Sequence, residues 1–299
     1  MPDLTLSRRR FLVICAAFPA GAAPIHQLRG TAMGAAASLH LAHPEAEAIG
    51  ARALAEISRL EDIFSLYRAG SALARLNRDG VLDAPPFELL EVLSLAARVH
   101  AASGGLFDPT IQPLWQLYAA ADAAGRRPEA AEIAAARART GWSGVAYDAA
   151  AIRLAPGRAL TPNGIAQGYV ADRVADLLRA EGLRDILINT GEHVALGGAP
   201  TGGPWPVTLA GGGQIALADR ALATSAPLGT CFDQAGLVGH ILNPATGLPT
   251  PAVWRSISIS ARSAALADAL STAACLMPVS AGITRPLAGF PAARIESIA

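Results

Sequence analysis

Residues 256–262 read SISISAR, with serines alternating against Ile257, Ile259 and Ala261. That period of two predicts a strand with one buried face. Ser263 can cap the next segment, and residues 264–277 are rich in strong helix formers until Pro278 stops the run. On that predicted helix Asp268 and Thr272 sit one turn apart on the same side, with Ser271 beside them. Two readings of the pair are open. Asp268 can simply complement a helix N-terminus while Thr272 fills a small-residue contact. Alternatively, the carboxylate and the hydroxyl belong to a site for Mg²⁺, which takes few protein ligands and completes its shell with phosphate oxygens and water.

The same patterning organises the rest of the chain. Residues 33–41 alternate small and apolar side chains as a strand would. Residues 44–77 form one long helical pattern, with Ile49, Ala53, Ile57, Leu60 and Phe64 on one side. Asp83-Ala84-Pro85-Pro86 breaks the chain before a second helix, Phe87–Ala102, which Ser103-Gly104-Gly105 ends. Residues 119–136 read as a peripheral helix interrupted by Gly125-Arg126-Arg127-Pro128, and residues 145–154 as a hairpin turning at Asp148-Ala149. Val170, Val174, Leu177 and Leu178 mark the buried side of another helix, closed by Gly182 and followed by a buried strand over 185–189. Short strands are expected at 205–209, 214–217, 221–224 and 239–242. Helices early and strands late, without regular alternation, indicate an α+β domain of mixed helices and antiparallel sheet.

The N-terminus changes the boundaries. Ser7-Arg8-Arg9-Arg10-Phe11-Leu12 ahead of the apolar run LVICAAFPAGAA has the form of a twin-arginine export signal, and Ala20-Gly21-Ala22 supplies a small-residue cleavage site. The apolar run falls short of the roughly 18 residues that span a bilayer. Residues 1–22 are therefore expected to be removed, leaving 299 − 22 = 277 residues (23–299) as one periplasmic domain. A formal net charge of zero argues against nucleic acid as a partner. There is no lysine; every basic side chain outside histidine is arginine. Cys15 leaves with the signal, and an oxidising compartment would permit Cys231 and Cys275 to pair or leave them as two buried thiols. No Cys or His spacing is of metal-binding type, and neither a GxGxxG turn nor a GxxxxGK[ST] loop occurs.

Several separated segments line up in order. Met33-Gly34 follows a threonine-bearing strand start, and Ser103-Gly104-Gly105-Leu106-Phe107-Asp108-Pro109-Thr110 precedes a Pro-Leu pair. Asn163-Gly164-Ile165-Ala166-Gln167-Gly168-Tyr169 opens a helix, and Ala223-Thr224-Ser225 comes later. His240-Ile241-Leu242-Asn243-Pro244-Ala245-Thr246-Gly247 and Ala267-Asp268-Ala269-Leu270-Ser271-Thr272-Ala273 complete the set. Together they resemble the FAD:protein FMN transferases, the ApbE family, over essentially the whole mature chain. The resemblance implies a T-fold-like α+β domain that cleaves its substrate FAD with Mg²⁺. It also implies that FMN is attached through a phosphoester to a threonine or serine of a target flavoprotein, with AMP released.

By motif position the resemblance makes Asp268 and Thr272 metal ligands, joined by a main-chain carbonyl near Gly164, in a loop that runs into a helix N-terminus suited to phosphate. It makes His240 the base, a role that an imidazole near its free pKa of about 6.5 suits. For FAD it points to Met33, Tyr67, Leu106, Phe107 and Asp108, together with Thr161 and Gln167. His26, His40, His43, His100 and His193 lie outside the motif positions. The chain also departs from the family pattern. Thr161 stands where aspartate is common, and Gln167 where lysine or glutamate is. Asn189-Thr190-Gly191-Glu192 replaces a paired-glycine turn, and Asn243 an aspartate. The NGIAQGY form with a twin-arginine signal resembles the transferases of nitrous oxide respiration, whose acceptor is a membrane-bound regulatory flavoprotein facing the periplasm. Two alternatives stand beside transfer: an FAD pyrophosphatase releasing FMN and AMP, and a non-catalytic FAD-binding carrier.

Overall fold

The structure, a computed structural model, describes residues 24–299 and the backbone of Ile14–Cys15. The export motif at 7–12 and the cleavage site at 20–22 lie outside the described residues. Along the first half run β1 (Ile14–Cys15), β2 (His26–Ala32), β3 (Ala35–Leu41), α1 (Ala46–Phe64), α2 (Ala72–Asp79), β4 (Val81–Asp83) and α3 (Phe87–Ala102). Next come α4 (Gln112–Ala123), α5 (Ala130–Arg137), β5 (Val145–Tyr147), β6 (Ala151–Leu154), α6 (Ala166–Ala180), β7 (Ile186–Asn189) and β8 (His193–Leu196). The chain ends with β9 (Trp205–Thr208), β10 (Gln214–Leu217), β11 (Arg220–Ser225), β12 (Ile257–Ala261), α7 (Ala264–Cys275), α8 (Ser280–Leu287) and β13 (Arg294–Ile298).

The main sheet is antiparallel throughout, in the order β1-β2-β3-β7-β8-β11-β12-β13. One face meets α1, α6 and α7 through Leu28, Leu39, Ile186, Ile188 and Ile257, all buried, and α3 packs on α7 behind them. Leu187, Ala195 and Leu222 point the other way and pack under the β9–β10 hairpin against Trp205, Val207 and Leu217. The α+β expectation therefore holds as mixed helices with antiparallel sheet. Side-chain alternation does the sorting, since neighbours along a strand face opposite sides.

The structure corrects three sequence-based expectations. The pattern over 44–77 is two helices: Ser65 turns extended (ψ 130°), and the Ser71 hydroxyl starts a second helix by accepting from the Ala74 N–H at 3.0 Å. β12 is buried on both faces: all of Ile257–Ala261 is buried, with β11 and β13 paired along its two edges. Its serines are kept by hydrogen bonds: Ser258 Oγ lies 2.8 Å from Thr224 Oγ1, and Ser260 Oγ accepts from Arg220 Nε at 2.8 Å. Residues 239–242 form isolated bridges, Cys231 with Gly239 and Leu242 with Pro249, instead of a strand. Cys231 and Cys275 are both free thiols, Cys275 buried.

Candidate active site

Ser263 caps α7 as its sequence predicts, its hydroxyl accepting from Leu266 N–H at 3.2 Å. From that start Asp268, Ser271 and Thr272 fall on the side of α7 that faces the end of β11 and the loop before α6. There a cavity of about 280 Å³ opens. Its walls come from the segment 106–111, the loop carrying Thr161, Asn163 and Gly164, Glu192 just before β8, Thr224 and Ser225 on β11, and Gly229, Thr230 and His240 on the excursion that follows.

The inner end of the cavity is acidic and dense. Asp268 is 4% exposed, and among the described residues its carboxylate receives one long contact, from Gly168 N–H at 3.4 Å. Burial pushes it up to about 7, with Asp172 nearby adding to the rise and the Gly168 amide opposing it. Glu192, 6% exposed, is raised well above the carboxylate range by burial first and by Asp268 second, although it accepts from Thr224 N–H at 3.2 Å. No arginine forms an ion pair with either carboxylate among the described residues. Beside them Ser225 Oγ lies 2.7 Å from Ser271 Oγ and 3.2 Å from Thr272 Oγ1. Gly164 brings its backbone against this cluster: a Cβ there would stand 3.0 Å from Thr272 Oγ1 and 3.1 Å from the Phe107 ring.

Two buried carboxylates without a basic partner call for positive charge. Among the described residues no three His, Cys, Asp or Glu side chains gather around one point, which excludes a site of the zinc type there. A carboxylate, a hydroxyl and a backbone carbonyl are instead hard oxygen donors in the small number that Mg²⁺ takes from a protein. The donor chemistry at Asp268, Thr272 and Gly164 fits that ion.

The outer end carries His240. Its Nδ1 lies 2.8 Å from the Thr230 carbonyl, and its backbone N–H donates to the same oxygen at 3.0 Å. A carbonyl only accepts, so Nδ1 holds the hydrogen and Nε2 keeps its lone pair. Burial lowers the ring's pKa, against the pull of Thr230. His240 is thus neutral at pH 7, with one nitrogen free to take a proton.

The residues expected to hold FAD divide into two groups. Leu106, Phe107, Asp108, Thr161 and Gln167 line the cavity. Asp108 Oδ1 accepts from the amide of Thr110 at 2.9 Å and from its hydroxyl at 2.7 Å, while Phe107 N–H donates to Ser103 Oγ at 3.0 Å. These bonds fix the 106–110 turn. Gln167 rests on Gly191, where a Cβ would come within 2.9 Å of its amide nitrogen. Met33 and Tyr67 are not among the lining residues. Met33 sits in the β2–β3 turn with φ 50°, its N–H on Glu61 at 2.8 Å, and Tyr67 is 83% exposed. The sequence motifs assign no site role to Glu192, Ser225 or Trp115, which also line the cavity. The available signal for Glu192 was an acid directly after a glycine turn at the end of a buried strand.

Residues 33–285 match the model of the ApbE family. A Klebsiella pneumoniae protein named FAD:protein FMN transferase is 30% identical over 225 residues, 71% of this chain and 70% of that protein. The crystal structure of the Pseudomonas stutzeri flavinyl transferase ApbE, in its apo form, superposes with a TM-score of 0.77 at 28% identity, covering 89% of this chain and 88% of the other. The ApbE protein of Thermotoga maritima gives a TM-score of 0.80 at 25% identity, covering 92% and 96%.

Proposed function

The chain belongs to the ApbE family, and from that premise we propose that this flavin transferase moves FMN from FAD to a threonine or serine hydroxyl of a target flavoprotein, releasing AMP. The observation that supports this most is one cavity with a neutral, correctly tautomerised imidazole at its mouth and an unpaired carboxylate cluster at its floor.

The reaction divides between the two ends. His240 Nε2 accepts the proton of the acceptor hydroxyl as its oxygen bonds to the FMN phosphorus. The bond from that phosphorus to the bridging oxygen breaks, and the oxygen leaves with AMP. Asp268, Thr272 and the Gly164 carbonyl would hold Mg²⁺, which when bound supplies positive charge to the diphosphate oxygens. The start of α6 presents backbone amides beside this point, favouring phosphate there. Leu106 and Phe107 give the flavin and adenine rings apolar walls, while Thr161 and Gln167 offer neutral hydrogen bonds.

The Ser7–Leu12 motif supports export by the twin-arginine route, and hence a periplasm-facing membrane flavoprotein as acceptor, of the kind that regulates nitrous oxide reduction. The test is incubation of the mature protein with FAD, Mg²⁺ and an acceptor flavoprotein, read by in-gel fluorescence and by AMP release. Label with equimolar AMP is expected. AMP without label would mean that water replaces the acceptor hydroxyl, and bound FAD with neither product would mean a carrier.

A further inference from the structure

Asp172 stands on α6 and spends its whole carboxylate on the first turn of α7. Oδ1 accepts from Ala264 N–H at 2.7 Å, and Oδ2 from Ser263 Oγ at 2.7 Å and Ala265 N–H at 3.0 Å. These amides are among those that a helix N-terminus leaves unpaired, and a carboxylate there also complements the helix dipole. One turn earlier on α6, Gly168 has no side chain because none fits: a Cβ would stand 2.3 Å from Ala264 O and 2.6 Å from Ala265 N. The Gly168 N–H in turn faces Asp268 Oδ2 at 3.4 Å. The two helices therefore meet at their N-terminal ends.

That meeting point governs the floor of the cavity. Gly164 lies just before α6, while Asp268 and Thr272 lie one and two turns into α7. β11 holds α7 from the other side, through Ser225 against Ser271 and Thr272, and the docking of the two helix starts sets α7 against the Gly164 loop. Thr272 is about 12 Å along α7 from the clamp, so a tilt of roughly 5° displaces it by about 1 Å. Mg²⁺ demands near-ideal octahedral geometry and tolerates little of that.

We infer that Asp172 is a positioning residue for the cation end of the site, tying α7 to α6 so that Asp268 and Thr272 stay in register with the Gly164 carbonyl. This rests on the proposed Mg²⁺-dependent handling of FAD. It predicts that loss of the clamp weakens the response to Mg²⁺ while leaving the flavin-contacting walls intact.

The experiment is equilibrium dialysis of FAD across a Mg²⁺ titration, on the wild type and on Asp172→Ala, Asp172→Asn and Ser263→Ala. Val174→Ala, a buried deletion elsewhere on α6, controls for general loss of stability. For Asp172→Ala the Mg²⁺ midpoint should rise roughly 10-fold or more, as for other residues that orient metal ligands, with FAD affinity at saturating Mg²⁺ within about twofold of wild type. Asp172→Asn and Ser263→Ala should shift it less, and Val174→Ala not at all. If Asp172→Ala fails to fold, those two milder variants carry the same readout. An unmoved midpoint in folded Asp172 variants, or an equal shift in Val174→Ala, would overturn the inference. Wild-type FAD retention that is indifferent to Mg²⁺ would instead overturn the functional reading beneath it.

Discussion

The floor of the cavity and its mouth are made from different kinds of structure. Asp268 comes from a helix of the main core and Glu192 from the turn that leads into β8, and they are 4% and 6% exposed. His240 hangs from the long excursion between β11 and β12, fixed through a single carbonyl, with Leu228 43% and Leu237 73% exposed on the same excursion. The floor is where charge must be concentrated on a small ligand, and low dielectric strengthens it there. On the proposed reaction the mouth would admit a protein hydroxyl and use a half-buried, neutral base. The proposal thus assigns electrostatics to the rigid core and proton transfer to a loop.

Substitutions at the two ends should separate these roles. The largest effect is expected for Asp268→Ala: transfer should fall by roughly 10³-fold, with Mg²⁺-dependent FAD retention lost as well. Unchanged turnover would remove Asp268 from the chemistry. His240→Ala should lower transfer by about 10²-fold or more with FAD binding spared, measured by dialysis beside single-turnover labelling. Equal loss of binding and turnover would make His240 a ligand contact and erase the contrast between floor and mouth.

The contrast can be sharpened by pH. Burial lowers the His240 pKa below its usual 6.5, so the ring loses its proton more readily than a free imidazole does. With His240 as the proposed base the free imidazole is the working form, and at saturating Mg²⁺ the single-turnover rate should stay level as pH falls through 6.5, declining only below it. A decline centred above 6.5 would mean that His240 is stabilised in its charged form instead. The smallest effects concern stability alone. Ser258→Ala removes a hydrogen bond at a fully buried position and should cost about 1 kcal/mol, or roughly 2–4 °C in Tm. Leu237→Ser, on the exposed excursion, should stay within about 0.5 kcal/mol.

The local elements were legible because their signals are local. The Ser263 cap, the helix it starts and Phe87–Ala102 follow from residues within a turn of each other. The serines of β12 mislead, since alternation normally marks one wet face; here Thr224, Arg220 and Glu296, 34 to 40 positions away in sequence, bond to them instead of water. β8, β13 and the strand order depend on pairings that no short window contains. Within the site, Asp268, Thr272, Gly164 and His240 were read from motifs and do line one cavity. Glu192 was seen only as an oddity in a turn, because its meaning arises when β8 brings it to Asp268. Tyr67 and Met33 also came from motifs, and the cavity closes without them.

The most direct test of the cation floor is crystallographic. Crystals of the protein grown with FAD and Mn²⁺, whose anomalous scattering marks its position, should show the ion bound by the Asp268 carboxylate, Thr272 Oγ1 and a carbonyl of the Gly164 loop, and by oxygens of the FAD diphosphate. Mg²⁺ in its place should sit about 2.1 Å from each donor. An ion bound elsewhere, or a diphosphate seated away from Asp268 with that carboxylate still unpaired, would contradict it.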